Sequence, residues 1–262
     1  MSNKIKFIKY KPIKNLIKGY KESGGRNHSG KITVYQRGGG HKQLYRQVNF
    51  KRYEKKGIVI GFEYDPNRDT YLAKIYNKKK NNYYYILAPT GLKILDNLVS
   101  KKTKLSNLQP GNTFLIKNIP IGTIIHNIEL IPNKGGQLIR SAGTFGKILH
   151  KTKKNFITVR LPSGEHRLIP LNCKATLGSL SNENFRYENL KKAGRSRWLN
   201  KRPNVRGVAM NPIDHPHGGG EGKTSGGRPS VTPWGFITKG QKTRSKKKNN
   251  SLIIKKRIKN KT

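Results

Sequence analysis

Gly57-Ile58-Val59-Ile60-Gly61-Phe62-Glu63-Tyr64, then Asp65-Pro66-Asn67, then Thr70-Tyr71-Leu72-Ala73-Lys74-Ile75-Tyr76 set the pattern of this chain. β-Branched and aromatic residues fill two short runs, and a Pro between Asp and Asn separates them, as in two strands joined by a turn. The same alternation continues on both sides: 31–36 and 44–50 upstream, and 83–88, 112–117, 123–130, 144–150, 155–161 and 165–170 downstream. Asn81-Asn82, Pro89-Thr90-Gly91, Gln109-Pro110-Gly111 and Pro162-Ser163-Gly164 punctuate the runs. Strands this short and this regularly spaced predict an all-β chain of antiparallel barrels.

Asn118-Ile119-Pro120-Ile121-Gly122 interrupts the strand series and is read as the boundary between two small barrels. The stretch 93–100 fits helix or strand equally. A short helix is expected over 182–193, ended by Gly194. In Tyr83-Tyr84-Tyr85 the alternation sends Tyr84 to the opposite face from its neighbours, so core packing for one face is favoured over base stacking. Beyond Gly194, Gly, Pro, Arg, His and Asn dominate without apolar period, and 1–30 has the same character. Such segments are ordered by a partner or are mobile.

Charge decides the class of partner. Lys and Arg number 56 against 12 Asp and Glu, a formal balance of +44, and no acidic residue follows Glu221. Self-repulsion on that scale opposes compaction unless a polyanion relieves it, which points to nucleic acid. An anionic membrane is disfavoured: no apolar run approaches the ~20 residues of a span, and the basic tail lacks an amphipathic pattern. The lone Cys173 excludes an internal disulfide or a cysteine-based zinc ribbon and fits a reducing compartment. Residues 1–10 show neither an apolar signal core nor an Arg-rich transit pattern, so the protein is expected to work where it is made.

Three Gly-rich basic clusters stand out: Gly24-Gly25-Arg26-Asn27, Arg37-Gly38-Gly39-Gly40-His41-Lys42, and Lys134-Gly135-Gly136-Gln137 followed by Arg140-Ser141-Ala142-Gly143. Small residues let the backbone approach a phosphate while Arg and Lys add charge-assisted bonds, so RNA-backbone contact is favoured over flexible turns. The segment Asn211-Pro212-Ile213-Asp214-His215-Pro216-His217-Gly218-Gly219-Gly220-Glu221-Gly222-Lys223-Thr224 invites three chemical readings. Its end imitates a P-loop, but His217 stands where the first glycine is required and prolines flank the stretch. Asp214, His215, His217 and Glu221 lack the helical spacing of a metal site. His217 as a general base has no partnered nucleophile. A loop threading RNA, with His and Lys as contacts, is preferred to a hydrolase or transferase.

That segment, with Ala193-Gly194-Arg195-Ser196-Arg197-Trp198 and Arg202-Pro203-Asn204-Val205-Arg206-Gly207-Val208-Ala209-Met210 before it and Thr232-Pro233-Trp234-Gly235 after it, closely resembles the large-subunit ribosomal protein L-two family. Further matches are residues 37–42, Tyr64-Asp65-Pro66-Asn67-Arg68, Ile86-Leu87-Ala88-Pro89, Pro110-Gly111-Asn112-Thr113, residues 135–143 and Ala175-Thr176-Leu177-Gly178. They run in order over nearly the whole chain. The resemblance implies an oligonucleotide-binding-type barrel followed by an SH3-like barrel, with extended basic N- and C-terminal arms. The segments expected are a basic arm over 1–30, the first barrel over 31–117, the second with a short helix over 118–193, and an RNA-threading extension and tail over 194–262.

The function implied is that of a structural constituent of the large ribosomal subunit. It binds and organises large-subunit rRNA and supports subunit association, tRNA binding and the peptidyl-transferase centre, with the RNA carrying the chemistry. Expected rRNA contacts are Arg26, Arg37, Gly39, Gly40, His41, Lys42, Arg46, Arg68, Lys134, Gly135, Gly136, Arg140, Arg195, Arg197, Arg202, Arg206, Asn211, His215, His217, Gly218, Gly219, Lys223, Trp234, Lys239, Arg244 and Arg257. His217 is the candidate nearest the peptidyl-transferase region, and no residue is expected to be catalytic. No cofactor or protein-held metal is expected, any magnesium bridging being made through the RNA. Partners are large-subunit rRNA, other large-subunit proteins and the small subunit at a bridge, with one copy per ribosome and no membrane span. The arm between Tyr10-Lys11-Pro12 and Ser23-Gly24-Gly25-Arg26 is shorter than in typical bacterial members. That, the excess of Lys over Arg, the abundance of Asn and Ile, and Val34-Tyr35-Gln36 suggest a mitochondrially encoded protein, with a plastid or an AT-rich bacterium as the alternative.

Overall fold

The first barrel grows from the strand pair that the sequence marks most clearly. In the computed structural model, which describes residues 12–53, 56–101, 108–151, 155–222, 224–243, 245 and 251–257, β1 (Ile17–Tyr20) pairs with β2 (Gln43–Arg46), and β3 (Lys56–Glu63), β4 (Leu72–Asn77) and β5 (Asn82–Leu87) form an antiparallel meander. The register shifts between Val59 and Gly61, a bulge that lets β3 bend. β6 (Asn97–Lys101) pairs with the start of β3, which settles the ambiguous 93–100 stretch as a turn, with Leu95 at φ 71°, leading into a strand. Val59, Phe62, Ala73, Ile75, Tyr84, Ile86 and Leu98 fill the interior.

The other face of β4 and β5 is also covered. Leu72, Tyr85 and Leu87 pack with Leu180 and with Ile13, Leu16, Val48 and Phe50. This corrects the expectation for the tyrosine run: alternation holds, but Tyr84 and Tyr85 both reach a core, one on each face, and only Tyr83 stays open. Tyr85 is the hub of a buried polar group. Its hydroxyl donates to Glu63 Oε2 at 2.6 Å and accepts from the Ile13 amide at 2.9 Å, while Glu63 Oε1 accepts from Arg46 Nε at 2.7 Å. Burial, and then the bond to Glu63, hold the Tyr85 phenol far above its usual range.

The second barrel comprises β7 (Thr113–Leu115), β8 (Ile124–His126), β9 (Ile128–Glu129), β10 (Gly136–Leu138), β11 (Gly146–Lys151), β12 (Phe156–Arg160), β13 (His166–Pro170) and β14 (Lys174–Leu177). Its pairings are antiparallel, and the parallel β6–β7 pair links it to the first. Phe114, Ile116 and Ile119 share one core with Ile125, Ile128, Ile148, Ile157 and Ile169. The chain therefore passes from one core to the next between β6 and β7. That is earlier than Asn118–Gly122, whose first apolar residue, Ile119, is fully buried in the second core. Cys173 is buried there too, and its thiol is pushed up to about 12, by burial first and then by Glu129.

Three other expectations are corrected. Residues 31–36 form no strand: every one is exposed, and the amides of Thr33 and Val34 instead donate to Gly25 O. A β-prone sequence with no sheet to cover stays irregular. The helix expected over 182–193 is a 3-10 turn, Glu183–Tyr187, followed after the left-handed Lys191 by α1 (Ala193–Trp198), so Gly194 lies inside a helix rather than ending one. The basic tail does not stand wholly apart from the barrel, because β15 (Ile253–Lys255) pairs with β13. β14, absent from the strands read in the sequence, is central in the sheet, between β7 and β8.

The chain divides into two compact units. Both barrels and β15 belong to one, residues 1–20, 42–189 and 250–262. The other joins residues 21–41 to 190–249. The second unit thus draws on parts of both segments expected as basic arms, 1–30 and 194–262.

His126 gives the barrel unit a measurable pH dependence. The ring is buried, and its Nδ1–H donates to Gly178 O at 2.8 Å. Burial lowers its pKa to about 4; the Gly178 bond partly opposes this and nearby Arg52 adds to it. The unfolded chain takes up this proton below about pH 6.5 while the folded chain refuses it until about 4. Stability is unaffected by His126 above pH 6.5 and falls as pH drops towards 4, by about 3 kcal/mol. Urea unfolding of wild type and His126→Gln across pH 4–7.5 checks this: the wild type should lose the larger share of its stability below pH 6.5.

Candidate nucleic-acid interface

Two arginines distant in sequence meet over one ring. Arg140 places its guanidinium carbon 4.9 Å from the centroid of Phe50, and Arg68 places its own at 5.3 Å from the same ring and 5.8 Å from Tyr45. Arg68 is aimed by the turn visible in the sequence. Buried Asp65 accepts from the Asn67 amide at 2.9 Å and from Arg68 Nε at 2.8 Å. One edge of the guanidinium is thereby fixed, and the terminal nitrogens remain for two oxygens of an anion such as phosphate. Arg140 is exposed and comes from the loop after β10. Guanidinium planes resting on aromatic faces keep their charge and lose rotamer freedom, which suits phosphate recognition.

Glycines in the clusters serve the protein before they serve a ligand. The Gly135 amide donates to Glu129 Oε1 at 3.1 Å and the Gly136 amide to Phe50 O at 3.0 Å. Glu129, buried, also accepts from the amides of Lys174 and Asn133. A Cβ on Gly136 would fall 2.0 Å from Asn127 Oδ1. The close backbone approach inferred from sequence therefore occurs inside the fold, and the side chains of Lys134 and Arg140 stay exposed. Arg46, expected as a phosphate contact, is buried, with its guanidinium engaged by Glu63 in a core ion pair. Lys42 and Arg257 are exposed in the same unit.

In the second unit the Arg37 cluster runs beside the end of α1. His41 donates its amide to Trp198 O, Gly40 to Asn200 Oδ1 at 2.7 Å, Arg202 to Gln36 O, and Arg37 bridges Lys201. The left-handed Gly39 sits beneath two guanidinia: a Cβ there would lie 3.6 Å from Arg202 Nη1 and 4.0 Å from Arg197 Nη2. Neither arginine forms an ion pair among the described residues. His41 and Lys192 flank Trp198, at ring-centroid distances of 5.9 and 5.0 Å. Arg37, Arg197, Lys201 and Arg202 thus form a cationic concentration that an anion would relieve. Arg26 and Arg206 are exposed, Arg195 half-buried.

The histidine segment is a folded turn. Asp214 and His215 donate their amides to Asn211 O, Gly218 to His215 O and Gly219 to Met210 O. The His217 amide donates to His215 Nδ1 at 3.0 Å, and the Val231 amide to His217 Nε2 at 3.2 Å. Only an unprotonated ring nitrogen can accept, so His215 carries its proton on Nε2 and His217 on Nδ1. His215 is buried against Gly207, whose Cβ would clash with the ring at 2.5 Å. Expected as an RNA contact, it is buried and accepts from the His217 amide in support of the turn. Half-buried His217 and exposed Asn211 remain candidates. Gly218 and Gly219 contribute shape, since a Cβ on either would collide with Asn211 O or Pro212. Trp234 is 65% exposed at the tip of a turn closed by Val231 and Ile237, and Lys239 is exposed. Lys223 and Arg244 lie outside the described residues. Among the described residues no three His, Cys, Asp or Glu gather as a metal site, and no helix is long and apolar enough to cross a membrane.

Sequence reading missed Phe50 and Tyr45, the supports that bring Arg68 and Arg140 together, and Asn200 and Lys201. Phe50 sits in the basic run Asn49-Phe50-Lys51-Arg52, a local signal, but its two arginine neighbours are visible only in three dimensions.

Two β-barrels carrying arginines on aromatic supports, with little acid to neutralise them, define a class of small-barrel nucleic-acid-binding proteins. Residues 13–100 match the family description "Ribosomal Proteins L2, RNA binding N-terminal domain", and residues 109–235 match "Ribosomal Proteins L2, C-terminal domain". The chain is 56% identical over 245 residues to "Large ribosomal subunit protein uL2m" of Reclinomonas americana, covering 93% of this chain and 87% of that one. It is 52% identical over 257 residues to "Large ribosomal subunit protein uL2" of Rickettsia prowazekii (strain Madrid E), covering 97% and 93%. The chain belongs to the ribosomal protein L2 family.

Proposed function

We propose that this protein is a structural, non-catalytic constituent of the large ribosomal subunit that binds and organises large-subunit rRNA. The observation that carries the reading is the convergence of Arg68 and Arg140 on Phe50. Arg68 comes from the turn after β3 and Arg140 from the loop after β10, so a single stretch of RNA backbone held by both would also fix the two barrels to each other. The Arg37–Arg197–Arg202 concentration is a second set of phosphate contacts, joined by Arg26, Lys42, Lys134, Arg206, Lys239 and Arg257.

In the particle, the segment of 190–249 reaches towards the peptidyl-transferase region with His217 nearest to it, supports tRNA binding, and leaves peptide transfer to the RNA. The protein contacts other large-subunit proteins and, at a bridge, the small subunit, with one copy per ribosome. The residence proposed is the mitochondrial ribosome, supported by the likeness to the uL2m protein of Reclinomonas americana and by the Lys-, Asn- and Ile-rich composition; the Rickettsia relatives keep the bacterial alternative in view. Density-gradient sedimentation of a lysate at near-physiological and raised salt tests this. The protein should stay with the large subunit at constant stoichiometry in both. Stripping at raised salt would instead make it a free RNA chaperone.

A further inference from the structure

Tyr83 is the member of the tyrosine run that neither core uses, and the register gives it company. Asn97, Ile58, Tyr76 and Tyr83 are successive cross-strand partners over β6, β3, β4 and β5, so they form one row on one face. Tyr83 is 43% exposed, Asn97 is exposed, and Ile58 and Tyr76 are half-buried. The two tyrosine rings stand 5.1 Å apart at 41°, and Lys74 Nζ lies 5.4 Å from the Tyr83 ring. Tyr76 is steadied by donating its hydroxyl to Asn81 Oδ1 at 2.9 Å. Beside it opens a cleft of about 480 Å³, walled by Tyr76, Leu98 and Val99 and rimmed by Lys56, Lys78 and Lys79, with no acidic residue among the described residues of its lining.

We propose that this row and cleft form a binding site for an unpaired nucleotide of single-stranded RNA. The base stacks on Tyr76 and Tyr83 and enters the cleft, the Asn97 amide meets its edge, and the lysines of the β4–β5 turn take the adjoining phosphates. Tyrosine faces accept any base, and lysines beside them select a polyanion over an apolar peptide. The cleft volume falls in the range of small-ligand sites, roughly 300–1,000 Å³. The site is separate from the Phe50 element, which holds backbone phosphate through guanidinium groups. It rests on the RNA-binding reading, and the experiment separates the two.

The full-length protein is titrated with a short single-stranded oligouridine carrying one central 2-aminopurine, and in parallel with a folded large-subunit rRNA fragment. The expected result is quenching of the 2-aminopurine on binding. Tyr83→Ala should abolish most of the quenching and weaken the oligonucleotide about tenfold, while Tyr83→Phe keeps both. Tyr83 is exposed, so its replacement leaves the cores intact, and the folded fragment should bind wild type and Tyr83→Ala alike. Quenching and affinity unchanged in Tyr83→Ala, or an acidic peptide that binds the cleft while the oligonucleotide does not, overturns the site and leaves the RNA-binding reading standing. Failure of the wild type to bind either RNA overturns both.

Discussion

Replacing Glu63 with Ala should lower the free energy of unfolding by about 3–5 kcal/mol, the range found when one partner of a buried ion pair is removed. Glu63 and Arg46 have side chains only 6% and 10% exposed, and the carboxylate also receives the Tyr85 hydroxyl. Its loss strands a buried guanidinium and a buried phenol at once, and both lose a charge-assisted bond. The Ile13 amide, which donates to Tyr85, is loosened with them. Urea denaturation at fixed moderate salt measures the change. The double substitution Arg46→Met, Glu63→Leu should recover the part of the loss due to the stranded charge, while the Tyr85 hydroxyl still lacks its acceptor. A single-substitution cost below about 1 kcal/mol would mean that water reaches the pair and that the cluster is not closed.

The second large effect is on RNA binding. Arg68→Gln with Arg140→Gln should weaken binding to a large-subunit rRNA fragment about 10- to 100-fold near 0.1 M salt, and should reduce the slope of log affinity against log salt by about 1.4–1.8. Both numbers follow from two phosphate neutralisations. Because the arginines share Phe50, the single substitutions should not add: a double-mutant cycle should show coupling of at least about 0.5 kcal/mol. Arg68→Lys is the informative control. It retains charge and a partner for Asp65 but loses the planar group on the rings, so it should keep most of the salt slope and lose part of the affinity. An unchanged slope in the double variant would place the phosphate contacts elsewhere.

The strand series was legible because alternation has a direct physical cause: a strand covering a core must present apolar side chains at every second position. That is why β3, β4, β5, β11, β12 and β13 lie close to where the pattern put them. The same rule failed for 31–36, whose Ile, Val and Tyr have no sheet to cover, and for β14, a four-residue strand framed by no turn signal other than Gly178. Lys93–Ser100 could not be decided because a turn with positive φ at Leu95 interrupts it. At the candidate interface, the Asp65-Pro66-Asn67 turn was readable, but not that Asp65 would hold Arg68 Nε. The burial of Arg46 was not readable, because nothing local distinguishes an arginine bound for a buried glutamate from one bound for phosphate.

By itself the sequence determined that the chain is all-β, that its charge demands a polyanion, and to which family it belongs. Those properties sum local quantities: apolar period, turn chemistry, net charge and ordered motifs. Only the tertiary structure decided how each cation and each glycine is used. Glu63 takes Arg46 out of solvent, Phe50 draws Arg68 and Arg140 together from positions 72 residues apart, and His215 turns inward against Gly207. Residues 21–41 fold with 190–249 although the barrels intervene in the chain. The physical reason is the same in each case: burial and pairing depend on neighbours that sequence separation does not reveal, and a charge acts on a ligand only if no internal partner has already claimed it.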